Sequence, residues 1–247
     1  MSSPGRAVLR TETRLFLREP GALFWIIAFP TVLVVILGLI PSFRDPVEEY
    51  GGQSVIGLYV PIAVLLAMLV AAITAVPVVI VGYREQQVLR RIATTPAQPA
   101  HLLGAQFVIH GVAVAISAAL AIVAGRVAFG VALPAQPLGY ALVMLLTFTA
   151  LLALGGIIAG VSPTTRFAST FATILFFPLM FTAGVYVPVQ AMPGILGEIV
   201  ELTPLGAAAV AMDATALGQW PATVHVLVLV AWTIGLGLLA VHFFRWE

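Results

Sequence analysis

The chain has 247 residues, of which 61% are hydrophobic and 9% charged, with a mean hydropathy of +1.11. Soluble domains run at about 45–50% apolar and about 25% charged, so the composition excludes a water-soluble globule and makes lipid the main solvent. The net charge of +1 carries no information about partners. With no cysteine, a disulfide framework, a thiolate metal site and a cysteine nucleophile are all excluded.

A spanning helix needs roughly 20 mostly apolar residues, because a rise of about 1.5 Å per residue must cross about 30 Å of hydrocarbon. Six segments meet that length: Ala22–Ile40, Ile56–Gly82, Leu102–Gly125, Leu138–Val161, Phe167–Val187 and Val224–Phe244. The first has no small-x-small cleavage site after it and reads as an uncleaved helix rather than a signal peptide. The second is long enough to tilt or to begin outside the bilayer. Pro178 interrupts the fifth, and a Pro/Gly-rich stretch follows it. The fold class expected is an all-α membrane protein with about six transmembrane helices, forming a single domain over 1–247.

All eleven basic residues are arginine, and their placement sets orientation. With the N-terminus in the cytoplasm, Arg6, Arg10, Arg14, Arg18, Arg84, Arg90, Arg91, Arg166 and Arg245 lie inside, and only Arg44 and Arg126 lie outside. The external side carries Asp45, Glu48, Glu49, Glu198, Glu201 and Asp213 instead. The expected topology therefore has both ends in the cytoplasm. The stretch 188–222 is apolar for a loop, and Pro193, Gly194 and Pro204 divide it into two short helical pieces. These are expected as external, re-entrant helices that dip into the outer leaflet, or else as a partly buried surface loop.

Two non-spanning segments stand out. In residues 1–20, Arg6, Arg10, Arg14 and Arg18 recur every four residues near one helical face. Their mutual repulsion would be relieved by anionic headgroups, which suits an interfacial elbow helix and equally an ordinary positive-inside flank. Glu19-Pro20 ends that helix. Residues 83–101, YREQQVLRRIATTPAQPAH, exceed the length of a simple turn between spans. Val88, Leu89, Ile92 and Ala93 share one helical face, and Arg84, Gln87 and Arg91 another. Such a cytoplasmic helix suits docking on a soluble partner, or a solvated surface held by headgroups.

The interiors of the spans are informative by what they lack. No Asp or Glu lies deep in any of them, as an ion-coupled carrier or pump would require. His110 alone is placed inside a span, and a lone histidine makes no metal site. HExxH, GxSxG and GxxxxGK[ST] are all missing, so the chain presents neither a catalytic constellation nor an energy source of its own. Gly156-xxx-Gly160 and Gly111-xxx-Ala115-xxx-Ala119 permit close helix approach, within the chain or between chains.

These residues resemble the permease subunit of a type-2 ABC exporter, the broad family of drug-resistance, polysaccharide and lipid-linked substrate exporters. YREQQVLRRIATTPAQPAHLLGAQ is similar to the family's coupling helix, "RE…G-T-L-R-R-L…T-P". FFPLMFTAGVYVPVQAMPGILGEIVELTPLGAAAV is similar to its fifth span and external region, and Tyr59-Val60-Pro61 to the start of its second span. Gln87-Val88 stands where the family often has Gly-Thr, Ile62 where it often has Gly, and Asp213 where it often has Arg.

The resemblance implies two permease chains, self or sister, with two copies of a separate ATPase in a bacterial-type cell membrane. ATP and Mg would be bound by that partner, with no cofactor, metal or catalytic residue in this chain. It implies that Arg84, Glu85, Arg90, Arg91, Thr94, Thr95 and Pro96 contact the ATPase, with Val88 and Ile92 filling an apolar cleft and Ser162–Arg166 as a smaller second contact. It also implies a cargo path between two permeases near spans one, two and five, where Phe29, Thr173, Phe176, Phe177, Met180 and Phe181 are the candidate lining. The few polar groups there suggest a hydrophobic or amphiphilic cargo. The alternative is a membrane scaffold or assembly protein of the same architecture with no cargo.

Overall fold

A computed structural model describes residues 4–50, 52–88 and 99–243. Helix α1 (Pro4–Phe16) ends in a short turn, and Pro20 then occupies the first turn of α2 (Pro20–Gly38), where a missing N–H costs nothing. The remaining spans are α3 (Val55–Glu85), α4 (Pro99–Phe129), α5 (Pro137–Val161), α6 (Thr165–Thr182) and, last in the chain, α9 (Thr223–Phe243). Between α6 and α9 lie α7 (Gly194–Glu201) and α8 (Pro204–Ala216), bent by 95°. Six helices are long and apolar enough to cross a membrane, and they fall where the apolar runs place them. The architecture is all-α. Its one scrap of sheet, among the described residues, is a hairpin of β1 (Pro46–Val47) and β2 (Gln53–Ser54), antiparallel, with Pro46 opposite Ser54.

Helix α3 is the hub. It contacts α2, α4, α5, α6 and α8, and 72% of its apolar window is buried inside the chain, against 11–39% for the other spans. It is apolar all round for that reason: Val64, Leu65, Met68, Leu69, Ile73 and Val81 are fully or almost fully enclosed. Helix α9 is held from outside by α5 and α8 and shows Ile234, Leu238 and Val241 outward. The short α8 is enclosed by α3, α5 and α9, with Leu205, Ala207, Ala208, Ala211 and Met212 buried, while α7 keeps Ile195, Ile199 and Leu202 exposed.

Two departures from regular helix were not legible as such. Phe24–Ala28 in α2 and Val70–Ala75 in α3 are π-turns, and the two touch each other. Such single-turn bulges are frequent at functional sites. The fifth span ends at Thr182 rather than running on to Val187. Gly184 takes a left-handed φ of +83°, and the amides of Gly184 and Val185 turn back onto the carbonyls of Phe181 and Met180. Pro178 lies inside α6 without ending it, since it removes a single bond to the carbonyl four residues back.

Close packing of α5 on α3 depends on Gly155. A Cβ there would overlap the carbonyl oxygen of Ala72, in the π-turn of α3. Gly156, one residue on, would place its Cβ at an ordinary 3.5 Å from Ala240. Gly155→Ala is therefore expected to cost about 1–3 kcal/mol through overpacking. Gly156→Ala is expected to be neutral or to stabilise by up to about 1 kcal/mol. Thermal midpoints of the two purified variants check the contrast.

Candidate functional site

The end of the bundle that holds α1 carries the candidate residues. Helix α3 stops at Glu85, and position 87 then adopts φ +55°, a left-handed conformation. Glycine would take this conformation without strain; this chain places Gln87 there. Of the candidate partner-contacting residues, Glu85 is exposed and Val88 half-buried. Arg90, Arg91, Ile92, Thr94, Thr95 and Pro96 lie outside the described residues.

Arg84 is turned inward. One guanidinium nitrogen donates to the carbonyl oxygens of Ala159 (3.1 Å) and Ser162, closing the C-terminal end of α5. Cations are favoured there, because the last carbonyls of a helix lack intrahelical donors. Arg84, the second residue of the 83–101 segment, is therefore fastened to the α5–α6 turn at Ser162, the first residue of the Ser162–Arg166 stretch.

Its neighbour Tyr83 is fastened to α1. The Tyr83 hydroxyl donates to the Glu12 carboxylate, 2.9 Å from Oε2 and 3.1 Å from Oε1, and Gln106 Nε2 donates to Oε2 at 2.7 Å. Glu12 is only 8% exposed, and Gln106 and His110 are buried beside it. His110 Nδ1 lies 3.0 Å from the Gln106 carbonyl, and Phe16 meets the imidazole edge-on at 5.2 Å. At about 100° per residue, Glu12 falls opposite the face of α1 that carries Arg6, Arg10 and Arg14, with Arg18 in the turn that follows. All four arginines are exposed. So α1 is docked on α4 through its acidic side and shows its arginines outward.

Glu12 also forms part of the wall of a cavity of about 880 Å³ between α1, α2, α3, α4 and α6. Its walls are Trp25 and Ile26 at one π-turn, Val70 and Thr74 at the other, Tyr83 and His110, and Thr173, Phe176 and Phe177 from the fifth span. The volume falls within the roughly 300–1,000 Å³ of small-molecule sites. Of the six candidate path residues, Thr173, Phe176 and Phe177 line it. Phe29 instead packs against Trp25 with their rings tilted at 54° and 4.8 Å apart, and Met180 and Phe181 pack against the core. Reasoning from apolar periodicity passed over Glu12, Trp25, Tyr83 and Gln106. The available signal was a single acid on the arginine-free side of α1.

Burial pushes the Glu12 carboxyl above its ordinary 4.5, and the hydrogen bonds from Tyr83 and Gln106 offset only part of that. A carboxyl raised on folding binds its proton more tightly in the folded chain. The resulting stability is fully present below pH 4.5 and is lost as pH rises through the raised value. Glu12→Gln keeps an acceptor for both donors. It is expected to flatten this pH dependence and to leave α1 docked at pH 7. Thermal unfolding between pH 4.5 and 7.5 checks it; an unchanged slope in the variant would assign the dependence elsewhere.

A search of curated proteins finds no match for this chain. Residues 5–217, from α1 to the end of α8, match the family described as ABC-2 type transporter. The membrane chain in that family is the transport subunit, and ATP hydrolysis belongs to a separate ATPase. A match over most of the chain, on a bundle of six apolar spans, makes this protein a multi-pass permease subunit of the ABC-2 type transporter family.

Proposed function

We propose that the chain is the permease of an ATP-driven exporter, that it works as a pair with two ATPase subunits, and that segment 83–101 is its cytoplasmic coupling helix. The observation that carries this is the pair of fastenings at Tyr83 and Arg84. Tyr83 is a cavity wall residue, and Arg84 holds the end of α5, so a push on the segment that follows them is delivered to α1, α3, α4 and α5 together. ATP binding shifts such an assembly only if one conformation of the complex binds ATP better than the other. The energy enters through the partner, so no intramembrane carboxylate is required.

The remaining assignments follow from this reading. Arg6, Arg10, Arg14 and Arg18 face the inner-leaflet headgroups, and nine of eleven arginines then lie on the cytoplasmic side, leaving 188–222 external. The cargo is hydrophobic or amphiphilic, because the cavity is walled mainly by aliphatic and aromatic side chains. A cavity of this size favours a carrier of cargo over a scaffold. ATP and Mg are bound by the partner.

Two experiments test the reading. A single cysteine at position 219 is expected to react with an impermeant reagent from outside the cell and not from the cytoplasm. Replacing Val88 and Ile92 by Ala removes apolar contacts worth about 1–3 kcal/mol each where buried, and Arg90→Glu with Arg91→Glu reverses the local charge. The quadruple variant is expected to insert and pair normally while ATPase binding or cargo-stimulated hydrolysis falls at least tenfold. Normal assembly, turnover and transport in proteoliposomes would remove the coupling assignment.

A further inference from the structure

Among the described residues, no arginine lines the cavity beside the buried Glu12 carboxylate. The described lining includes a second carboxylate, Glu19. Glu12 is more than nine-tenths buried, and the partners it has, Tyr83 and Gln106, are neutral. Among the described residues the single acid–base pair is His225 with Glu201, at the opposite end of the bundle. Each Glu12 oxygen can accept two hydrogen bonds, and Oε1 receives only the longer, 3.1 Å contact from Tyr83, so acceptor capacity remains. Trp25, Phe176 and Phe177 line the same cavity as this carboxylate. Aromatic faces attract cations, most strongly where water is excluded.

We propose that this cavity selects amphiphilic organic cations, with Glu12 as the counter-charge and Trp25, Phe176 and Phe177 as the aromatic wall. The proposal rests on the exporter reading for its biological meaning, but it concerns binding to this chain alone. The chemistry is selective in both directions. A lipophilic anion of the same shape meets a buried carboxylate and is repelled. A neutral amphiphile gains the apolar walls but leaves Glu12 unpaired. Exposed arginines on the outer face of α1 do not neutralise the site, because they lie on the other side of that helix.

The test is equilibrium binding of tetraphenylphosphonium to the full chain in neutral detergent, with tetraphenylborate as the anion of matched shape. Wild type is expected to bind the cation at least tenfold more tightly than the anion. Glu12→Gln is expected to weaken cation binding by about tenfold or more and to leave anion binding equal or stronger. Equal binding of the two ions by wild type, or unchanged cation binding in Glu12→Gln, would overturn the proposal. Should Glu12→Gln fail to fold, Trp25→Leu with Phe176→Leu carries the test with the carboxylate intact. That pair is expected to weaken the cation roughly threefold or more, relative to the anion, and equal weakening of both ions would overturn it. A choline headgroup has the same chemistry. Displacement of the probe by short-chain phosphatidylcholine, but not by phosphatidylglycerol, would support the site with a lipid as its occupant, and displacement by neither would support it with a free cation. The quadruple variant of segment 83–101 is expected to bind tetraphenylphosphonium as wild type does, so failure of coupling and failure of cation selection are read separately.

Discussion

Everything in this bundle is arranged around a helix that lipid hardly touches. Helix α3 is surrounded by four other spans and by α8, and its backbone is approached so closely at Ala72 that α5 must present a glycine. A helix enclosed in this way cannot shift alone, because close-packed interiors have no free volume to absorb a displacement. Motion of its end is motion of its neighbours. The π-turn at Val70–Ala75 lies on the same stretch, next to the π-turn of α2, and both contribute to the cavity wall. The least regular part of the hub thus contributes Val70, Thr74 and Ala75 to the cavity wall, beside Val78, Val79, Gly82 and Tyr83 from the regular helix that follows.

The polar groups are few and concentrated. Burying a carboxylate costs several kcal/mol unless its oxygens are bonded, and this chain buries Glu12 at the one place where α1, α3 and α4 converge. Tyr83 and Gln106 stand at the two roots of segment 83–101, so Glu12 ties both roots to the N-terminal helix. Arg84 ties one of them again, to α5. At the opposite end a similar economy holds. Asp213 accepts from Gln53 (3.0 Å) and Gln190 (3.1 Å), joining α8 to the β-hairpin and to the turn that precedes α7. The bundle is therefore apolar along its length and pinned by hydrogen-bonded carboxylates at each end.

How far the sequence reveals this depends on which physical signal each feature sends. The six spans are legible because length and hydropathy answer directly to bilayer thickness. The family is legible because its motifs keep their order and spacing along the chain, even where a position such as 87 departs from the pattern. The site is less legible. Of the aromatic and polar side chains proposed for the path, Thr173, Phe176 and Phe177 line the cavity, while Phe29, Met180 and Phe181, of the same composition, pack elsewhere. In a helix exposed to lipid, periodicity does not separate the face toward a cavity from the face toward hydrocarbon, since both are apolar. Glu12 was hidden by its own context. Among four arginines it looks like a surface charge, and only the docking of α1 on α4 makes it an interior one.

The central claim is that the shape of the cavity follows segment 83–101 through Tyr83 and Arg84. The most direct measurement is the distance between spin labels on either side of the cavity, at Leu15 in α1 and Ile174 in α6, two exposed positions in a chain without native cysteine. In the assembled transporter the account expects ATP to shift this distance distribution, and expects the shift to vanish when the contacts at positions 88, 90, 91 and 92 are removed. A distribution that ATP leaves unchanged in the wild-type complex, or one that still shifts in the quadruple variant, would contradict it.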